Sequence, residues 1–201
     1  MSLPADYFAR MYAVSEDPWG FRSRWYEERK RAVTLAVLDR PRYRAAFEPG
    51  CSVGVLTTAL ADRCERLLAT DVDPTAVAAT QAAVADRPHV TVEQRSVPAD
   101  WPAGEFDLVV VSELGYYLDA PELGDLVDRT LGALAPGGSL LLCHWRHPVD
   151  DYPLPGDAVH ERFRAEPALV AAVRHEEADF LLDLVTLGRT DSPARREGLT
   201  P

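Results

Sequence analysis

The residues able to do chemistry in this chain gather in a few short passages. Glu48-Pro49-Gly50-Cys51-Ser52-Val53-Gly54 places an acid ahead of two glycines four positions apart. Glycine lets backbone N–H groups approach a ligand, and a helix starting just behind the loop offers its positive end. Asp71 follows Glu48 by 23 residues, and the two oxygens of a carboxylate can accept hydrogen bonds from both hydroxyls of a ribose. Farther along, Glu113 can accept a hydrogen bond from a bound amine. His144 can remove a proton, an imidazole titrating ordinarily near ~6.5. The glycine spacing is not G-x-G-x-x-G, which argues against a dinucleotide-dependent oxidoreductase. His144, His147, Asp150, Asp151 and His160 are all metal-ligating types, but their Pro-rich surroundings and spacing fit no structural zinc pattern, so no metal is expected.

These groups can meet only if one framework brings them to the same edge. Short apolar runs at 45–48, 66–70, 89–93, 106–112 and 139–143 read as strands, and between them lie helical patterns at 55–63, 73–85 and from Pro121 onward. Pro49-Gly50 turns the chain out of the first strand. Asp73 caps the helix that Pro74 opens, where a missing N–H costs nothing. Leu123, Leu126, Val127, Thr130, Leu131 and Leu134 recur at helical steps until Pro136-Gly137-Gly138. The run Phe-Asp-Leu-Val-Val-Val-Ser at 106–112 is apolar enough to be buried on both faces, so it is expected at the sheet centre. Strands alternating with helices predict a three-layer α/β sandwich, Rossmann-like, with a mostly parallel seven-stranded sheet. A helix near 159–164 precedes strand-like runs at 169–174 and 180–187, expected as an antiparallel hairpin at one edge. A helix at 21–38, with Ala32, Val33, Leu35, Ala36 and Leu38 as its apolar stripe, ends before Pro41. The domain expectation is one unit over 1–188, in which 1–40 is a helical lid and 41–188 the core and acceptor rim. A flexible tail is expected over 189–201.

Composition narrows the function. The chain has 201 residues, 47% of them apolar and 26% charged, the balance of an ordinary soluble domain. A formal net charge of -11 with no basic stripe opposes a nucleic-acid partner. The basic residues between Arg22 and Arg31 alternate with Glu27 and Glu28, the pattern of a solvated helix face. No apolar run is long enough to span a membrane, and the N-terminus carries no secretory pattern. Cys51, Cys64 and Cys143 lack metal-like spacing and suit a reducing compartment, so a cytoplasmic protein with packing cysteines is expected.

Taken in order, Glu48, Gly50 and Gly54, then Asp71, the passage 94–98, Phe-Asp-Leu-Val-Val-Val and Leu-Ala-Pro-Gly-Gly-Ser-Leu resemble the signatures of class I S-adenosylmethionine-dependent methyltransferases. The match covers about half the chain, 47–143. Ser52 stands where the family's loop motif has its middle glycine, and Ser96 where it usually has an acid. The resemblance implies that Glu48, Gly50 and Gly54 cradle the cofactor and that Asp71 holds its ribose. It also implies that Ser96 and the Val97 N–H face the adenine. Three further passages, Asp17-Pro18-Trp19-Gly20-Phe21 with Trp25-Tyr26-Glu27, 112–118 and 144–148, resemble the NodS-type methyltransferases. That family implies N-methylation of an amino sugar of a chito-oligosaccharide signal.

Within that resemblance, Trp19 and Tyr26 are expected on a lid over the cationic sulfonium. Aromatic faces contribute roughly 0.5–2 kcal/mol to such a cation. Trp25 is as readily explained by packing of its helix on the sheet. Glu113 and His144, at neighbouring strand ends, are the expected catalytic pair, with positioning of the acceptor ahead of base catalysis. The expected reaction is methyl transfer to an amine of a sugar-like or natural-product acceptor. O-methylation of a small metabolite and a non-catalytic cofactor-binding domain stay open, as does the oligomeric state.

Overall fold

The computed structural model describes residues 1–200. Two helices, α1 (Ala5–Val14) and α2 (Trp25–Ala36), precede β1 (Ala46–Pro49). The order is then α3 (Val55–Ala61), β2 (Leu67–Asp71), α4 (Pro74–Ala83), β3 (Val90–Gln94) and β4 (Phe106–Ser112). A 3₁₀ turn (Gly115–Tyr117) leads into α5 (Ala120–Ala133), β5 (Leu134–Trp145) and α6 (Gly156–Arg164). The chain closes with β6 (Leu169–Glu176), β7 (Phe180–Leu187) and the short α7 (Pro193–Arg196).

One seven-stranded sheet results, ordered β3-β2-β1-β4-β5-β7-β6. The first five strands run parallel, and β7 returns antiparallel to both β5 and β6, the expected edge hairpin. Successive strand residues face opposite sides, so β4 feeds two cores. Val109 and Val111 pack with Phe47, Leu126 and Phe163, whereas Leu108 and Val110 pack with Leu60, Leu141 and Leu182. The order of connection, not the strand direction, reverses between the parallel neighbours β1 and β4, from which successive strands are added outward both ways. In such sheets the crevice beyond the carboxyl ends at that point receives ligands.

Local signals are honoured where the chemistry is explicit. The Asp73 carboxylate accepts from the N–H groups of Thr75 at 2.7 Å and Ala76 at 3.3 Å, with Pro74 in the first turn. Asp119 caps α5 in the same way. Elsewhere the structure corrects the reading. The helix begins at Trp25, and its buried positions are Lys30 and Thr34, while Ala32 and Ala36 face solvent. Its inner face follows the four-residue series Tyr26, Lys30, Thr34, which polar side chains conceal from a hydrophobicity pattern. The Pro-Gly-Gly passage does not terminate a helix. It lies inside β5, where the register against β4 shifts between Phe106 and Leu108 and Pro136 is tolerated. In the stretch expected to be a flexible tail, Ser192 caps α7, and Arg196 reaches the Asp39 carboxylate at 2.9 Å. No helix among the described residues is long and apolar enough to cross a membrane.

The Asp73 cap gives a direct check on this reading of α4. Asp73→Ala should lower stability by about 1 kcal/mol in a urea titration, and an unchanged midpoint would remove the cap from the account.

Candidate active site

A cavity of about 430 Å³ opens beyond the carboxyl ends of β1 to β4 and is roofed by α1, the 15–24 segment and α2. The loop leaving β1 forms one wall. Gly50 has φ +77°, and a Cβ there would meet the Leu114 side chain at 3.3 Å. Gly54, also at φ +77°, lies against Thr80, whose backbone would meet an added Cβ at 3.0 Å. Gly54 therefore lets α3 and α4 pack together, and it lies outside the lining of the main cavity. Ser52 takes a positive φ of 50° without being glycine, a conformation that costs on the order of 1–2 kcal/mol. Its contacts offset that strain. Its hydroxyl is 2.7 Å from the Tyr12 hydroxyl on α1, and its carbonyl accepts from Thr80 at 2.7 Å.

The acids of this wall are held in distinct ways. Asp71 accepts the Ser52 N–H at 2.9 Å and the Asp73 N–H at 3.0 Å, so the β2 end is tied to the glycine loop. Burial pushes the Asp71 carboxyl above the usual carboxylate range, against the pull of those N–H donors. Glu48 is 2% exposed and one of its oxygens has no hydrogen-bond partner within the chain. Burial, reinforced by the charge of Asp71, pushes the Glu48 carboxyl up to about 8. Thr57 opposes that rise, and the second oxygen keeps unused acceptor capacity on the cavity wall. Ser96 and Val97 line the same cavity beyond β3, as does Trp19 from the roof.

The opposite end holds a cluster of charged groups around Glu113. Glu113, just past β4, has φ +54° and is a cavity residue. One of its oxygens accepts from the Lys30 ammonium at 2.5 Å. The other accepts from the Trp145 backbone N–H at 3.0 Å and from the Tyr116 hydroxyl. Lys30 also meets Glu27 at 3.0 Å and lies 5.2 Å from the Tyr26 ring centroid. Burial opposes a charge on Lys30, but the carboxylates of Glu113 and Glu27 outweigh it and raise its pKa above the ordinary lysine value. The basic cluster read from sequence as a solvated face therefore includes a buried cation in the site. Tyr26 lines the cavity as expected and packs edge-on against Trp145, whereas Trp25 is 73% exposed and packs on nothing in the sheet. Phe8 and Tyr12 from α1, and Tyr116, Tyr117 and Tyr152, complete an aromatic wall that the motif reading missed.

His144 requires the largest correction. It is fully buried and outside the cavity lining, because its side chain projects from β5 away from the opening. Gly115 donates its N–H to Nε2 at 3.2 Å, so Nδ1 carries the proton and donates to His160 Nε2 at 3.1 Å. His160 in turn donates to Asp183 at 2.7 Å, and Arg164 closes the chain on the same carboxylate at 2.7 Å. Both imidazole nitrogens of His144 are thus occupied. Burial above all, with Lys30 nearby, holds its pKa well below the ordinary histidine value. It is a buried strut under the Gly115 turn, with no open nitrogen to act as a base. Gly115 itself has no room for a side chain, since an added Cβ would meet Val159 at 2.5 Å. The rest of that passage is also structural: Arg146 pairs with Asp157 at 2.8 Å and His147 with Asp179 at 2.7 Å.

With this geometry established, similarity to known proteins becomes informative. A family model described as Nodulation protein S (NodS) matches residues 5–150. The chain belongs to the NodS family. Nodulation protein S of Rhizobium tropici is 34% identical over 130 residues, which covers 64% of this chain and 55% of that protein. The Sinorhizobium fredii protein is 32% identical over 130 residues, with 64% and 60% covered. The chain thus spans somewhat over half the length of the curated relatives it matches. Among solved structures, the N-methyltransferase NodS of Bradyrhizobium japonicum WM9, crystallised with S-adenosyl-L-homocysteine, superposes with a TM-score of 0.82 at 25% identity. That match covers 92% of this chain and 98% of the other. A Pseudomonas syringae protein described as a candidate methyltransferase is 50% identical, with a TM-score of 0.73 over 81% and 99% of the two chains. This NodS-family chain accordingly has the Rossmann-like methyltransferase fold.

Two outcomes follow. His144→Ala should cost about 2–4 kcal/mol in denaturant unfolding, through the lost hydrogen bonds and the cavity left behind; unaltered stability with lost turnover would restore the base role. For Glu48, a folded pKa near 8 against an ordinary value of 4.5 means its contribution to stability is complete below 4.5 and disappears as pH rises through 8. Ligand-free Glu48→Gln should therefore gain melting temperature relative to wild type between pH 5 and pH ~8.5; a gap that is constant or narrows would contradict the buried neutral carboxyl.

Proposed function

We propose that this NodS-family protein transfers the methyl group of S-adenosylmethionine to the amine nitrogen of a small, sugar-like or natural-product acceptor. The observation that carries this reading is one cavity with two differently prepared ends. The Gly50–Ser52 loop and Asp71 form one end, and the fixed carboxylate of Glu113 forms the other. The similarity to an N-methyltransferase crystallised with S-adenosyl-L-homocysteine supports it.

In this reading Asp71 receives the ribose hydroxyls, since each of its oxygens retains acceptor capacity beyond the one backbone N–H it already binds. Glu48, with its unpartnered buried oxygen, receives a donor from the amino-acid portion of the cofactor. Ser96 and the Val97 N–H would serve the adenine, and Trp19 and Tyr26, both in the cavity lining, would stand near the sulfonium. Gly50 keeps the floor open for close approach, while Gly54 acts by seating α3 against α4. Bound S-adenosylmethionine supplies an electrophilic methyl group on a cationic sulfonium.

Glu113 accepts an N–H of the acceptor and so aims the nitrogen lone pair. A carboxylate has about four lone-pair sites, and three donors already occupy Glu113, which leaves place for one more. Those donors stabilise the anion, which makes Glu113 a positioning group and leaves the amine proton to depart to water. Alignment of this kind supplies roughly 7–11 kcal/mol in favourable cases. Residues 1–40 act as the lid, and the three buried thiols suit a cytoplasmic protein.

Calorimetric titration with S-adenosylmethionine and with NAD tests the assignment. S-adenosylmethionine should bind, NAD should not, and Asp71→Ala should weaken the former at least ~10-fold. Binding of NAD alone would end this reading, and unaltered affinity in Asp71→Ala would remove that residue from it.

A further inference from the structure

The chain contains 20 arginines and one lysine, and that lysine is Lys30. It is also the one lysine or arginine among the described residues that is buried, at 6% exposure. A chain that uses arginine at every other basic position has kept an ammonium at the position that faces Glu113 from within the cavity lining. The geometry gives the reason. A compact ammonium with three donors fits between the Glu113 oxygen at 2.5 Å and the Glu27 carboxylate at 3.0 Å, with the Tyr26 ring beside it. A planar guanidinium is wider and would need a second in-plane acceptor for its fork.

Resting on the reading of the site as a methyl-transfer centre, we propose that Lys30 is the positioning residue of that reaction: its ammonium fixes the Glu113 carboxylate, with Glu27 behind it, so that the free face of Glu113 addresses the acceptor nitrogen.

The surroundings leave Glu113 dependent on Lys30. The titratable and charged groups that face it are Lys30, Glu27 and Tyr26 from α2, Tyr116 and Tyr117 from its own turn, Cys143 from β5 and Tyr152 from the loop before α6. Lys30 is the only cation in that set. Burial pushes the Cys143 thiol up to about 12, so it brings no charge of its own. With Lys30 present, the two glutamates and one lysine leave a single negative charge at the reacting end. The developing ammonium product is complementary to that charge. Without Lys30, the carboxylates of Glu27 and Glu113 would face the same space with no cation between them. Lys30 itself stays protonated and has no lone pair to offer, so it can sit beside a methyl donor without becoming the acceptor.

The test compares wild type with Lys30→Met, Lys30→Arg, Glu113→Gln and the double variant Lys30→Met/Glu113→Gln. S-adenosyl-L-homocysteine formation is followed with D-glucosamine and then with larger amino sugars and aminated natural products. We expect Lys30→Met to lower kcat at least ~10-fold while KM for the cofactor changes little. Lys30→Arg should recover part of the rate. S-adenosyl-L-homocysteine affinity should stay within about threefold throughout, which controls for folding. The double variant should be no slower than Glu113→Gln alone, the mark of two residues acting as one unit.

Because there is one lysine, ¹⁵N-lysine labelling gives a single side-chain ammonium signal. It should be protected from exchange in wild type and lost in Glu113→Gln, a readout that does not require an active variant. Active wild type with unaltered rate in Lys30→Met overturns the role of Lys30 and leaves the reading of the site intact. Full multiplicative losses in the double variant, or an ammonium signal indifferent to Glu113→Gln, also overturn it. Wild type that turns over none of these amines overturns the reading on which the role rests.

Discussion

A carboxylate can organise a reacting centre only if it is both ionised and immobile, and in this chain those two conditions meet in the contact between Glu113 and Lys30. Breaking a buried pair of this kind leaves an uncompensated charge, a cost of about 3–5 kcal/mol in comparable cases. The surrounding architecture is arranged to keep it made. Glu113 sits at the end of the central strand in a left-handed backbone conformation, which turns its side chain back toward the cavity. The turn that follows is fixed from beneath by Gly115 on His144, and behind that by His160, Asp183 and Arg164. The left-handed backbone at Glu113 is thus backed by a buried network that spans β5, α6 and β7.

The N-terminal helices take part in this arrangement. Helix α2 delivers Tyr26, Glu27 and Lys30 to one end of the cavity, and α1 delivers Tyr12 to the other, where its hydroxyl meets Ser52. Ser52 replaces the small residue expected in the loop, accepts an unfavourable φ and gains a link to the roof. The Gly50–Ser52 loop and the roof are therefore mechanically joined at one end, and the roof and Glu113 at the other. A polypeptide that supplied the sheet without its first forty residues would retain Asp71 and Glu48 but lose the cation that orders Glu113.

The parts of this design that were legible in the sequence are those with a local cause. A continuous Val-Leu run marks the central strand, Asp-Pro marks a helix start, and an acid at a strand end followed by glycines marks a ligand loop. The place of Asp71 on the cavity wall is legible because it follows from where β2 ends. That of Lys30 is not, because alternating charge is the common signature of a solvated face, and the buried face of α2 is itself polar at Lys30 and Thr34. The signal that would have found it is compositional: a single lysine amid twenty arginines. His144 was assigned to the wrong side because alternation along a strand places neighbours on opposite faces. Whether residue 144 or 145 faces the opening depends on register with β4 and β7, a tertiary fact. Trp145 faces the cavity and His144 the interior.

The methyl transfer proposed for this site depends on a neutral amine addressed by a fixed anion, with no side-chain base. The most direct measurement is S-adenosyl-L-homocysteine formation across acceptor pairs that share a skeleton and differ only in bearing an amine or a hydroxyl, followed against pH. Turnover confined to the amines, rising with pH until the amine is neutral and then levelling, is the predicted result. Preferential methylation of the hydroxyl partners, or a bell-shaped profile with a base titrating near the ordinary histidine value, would contradict it.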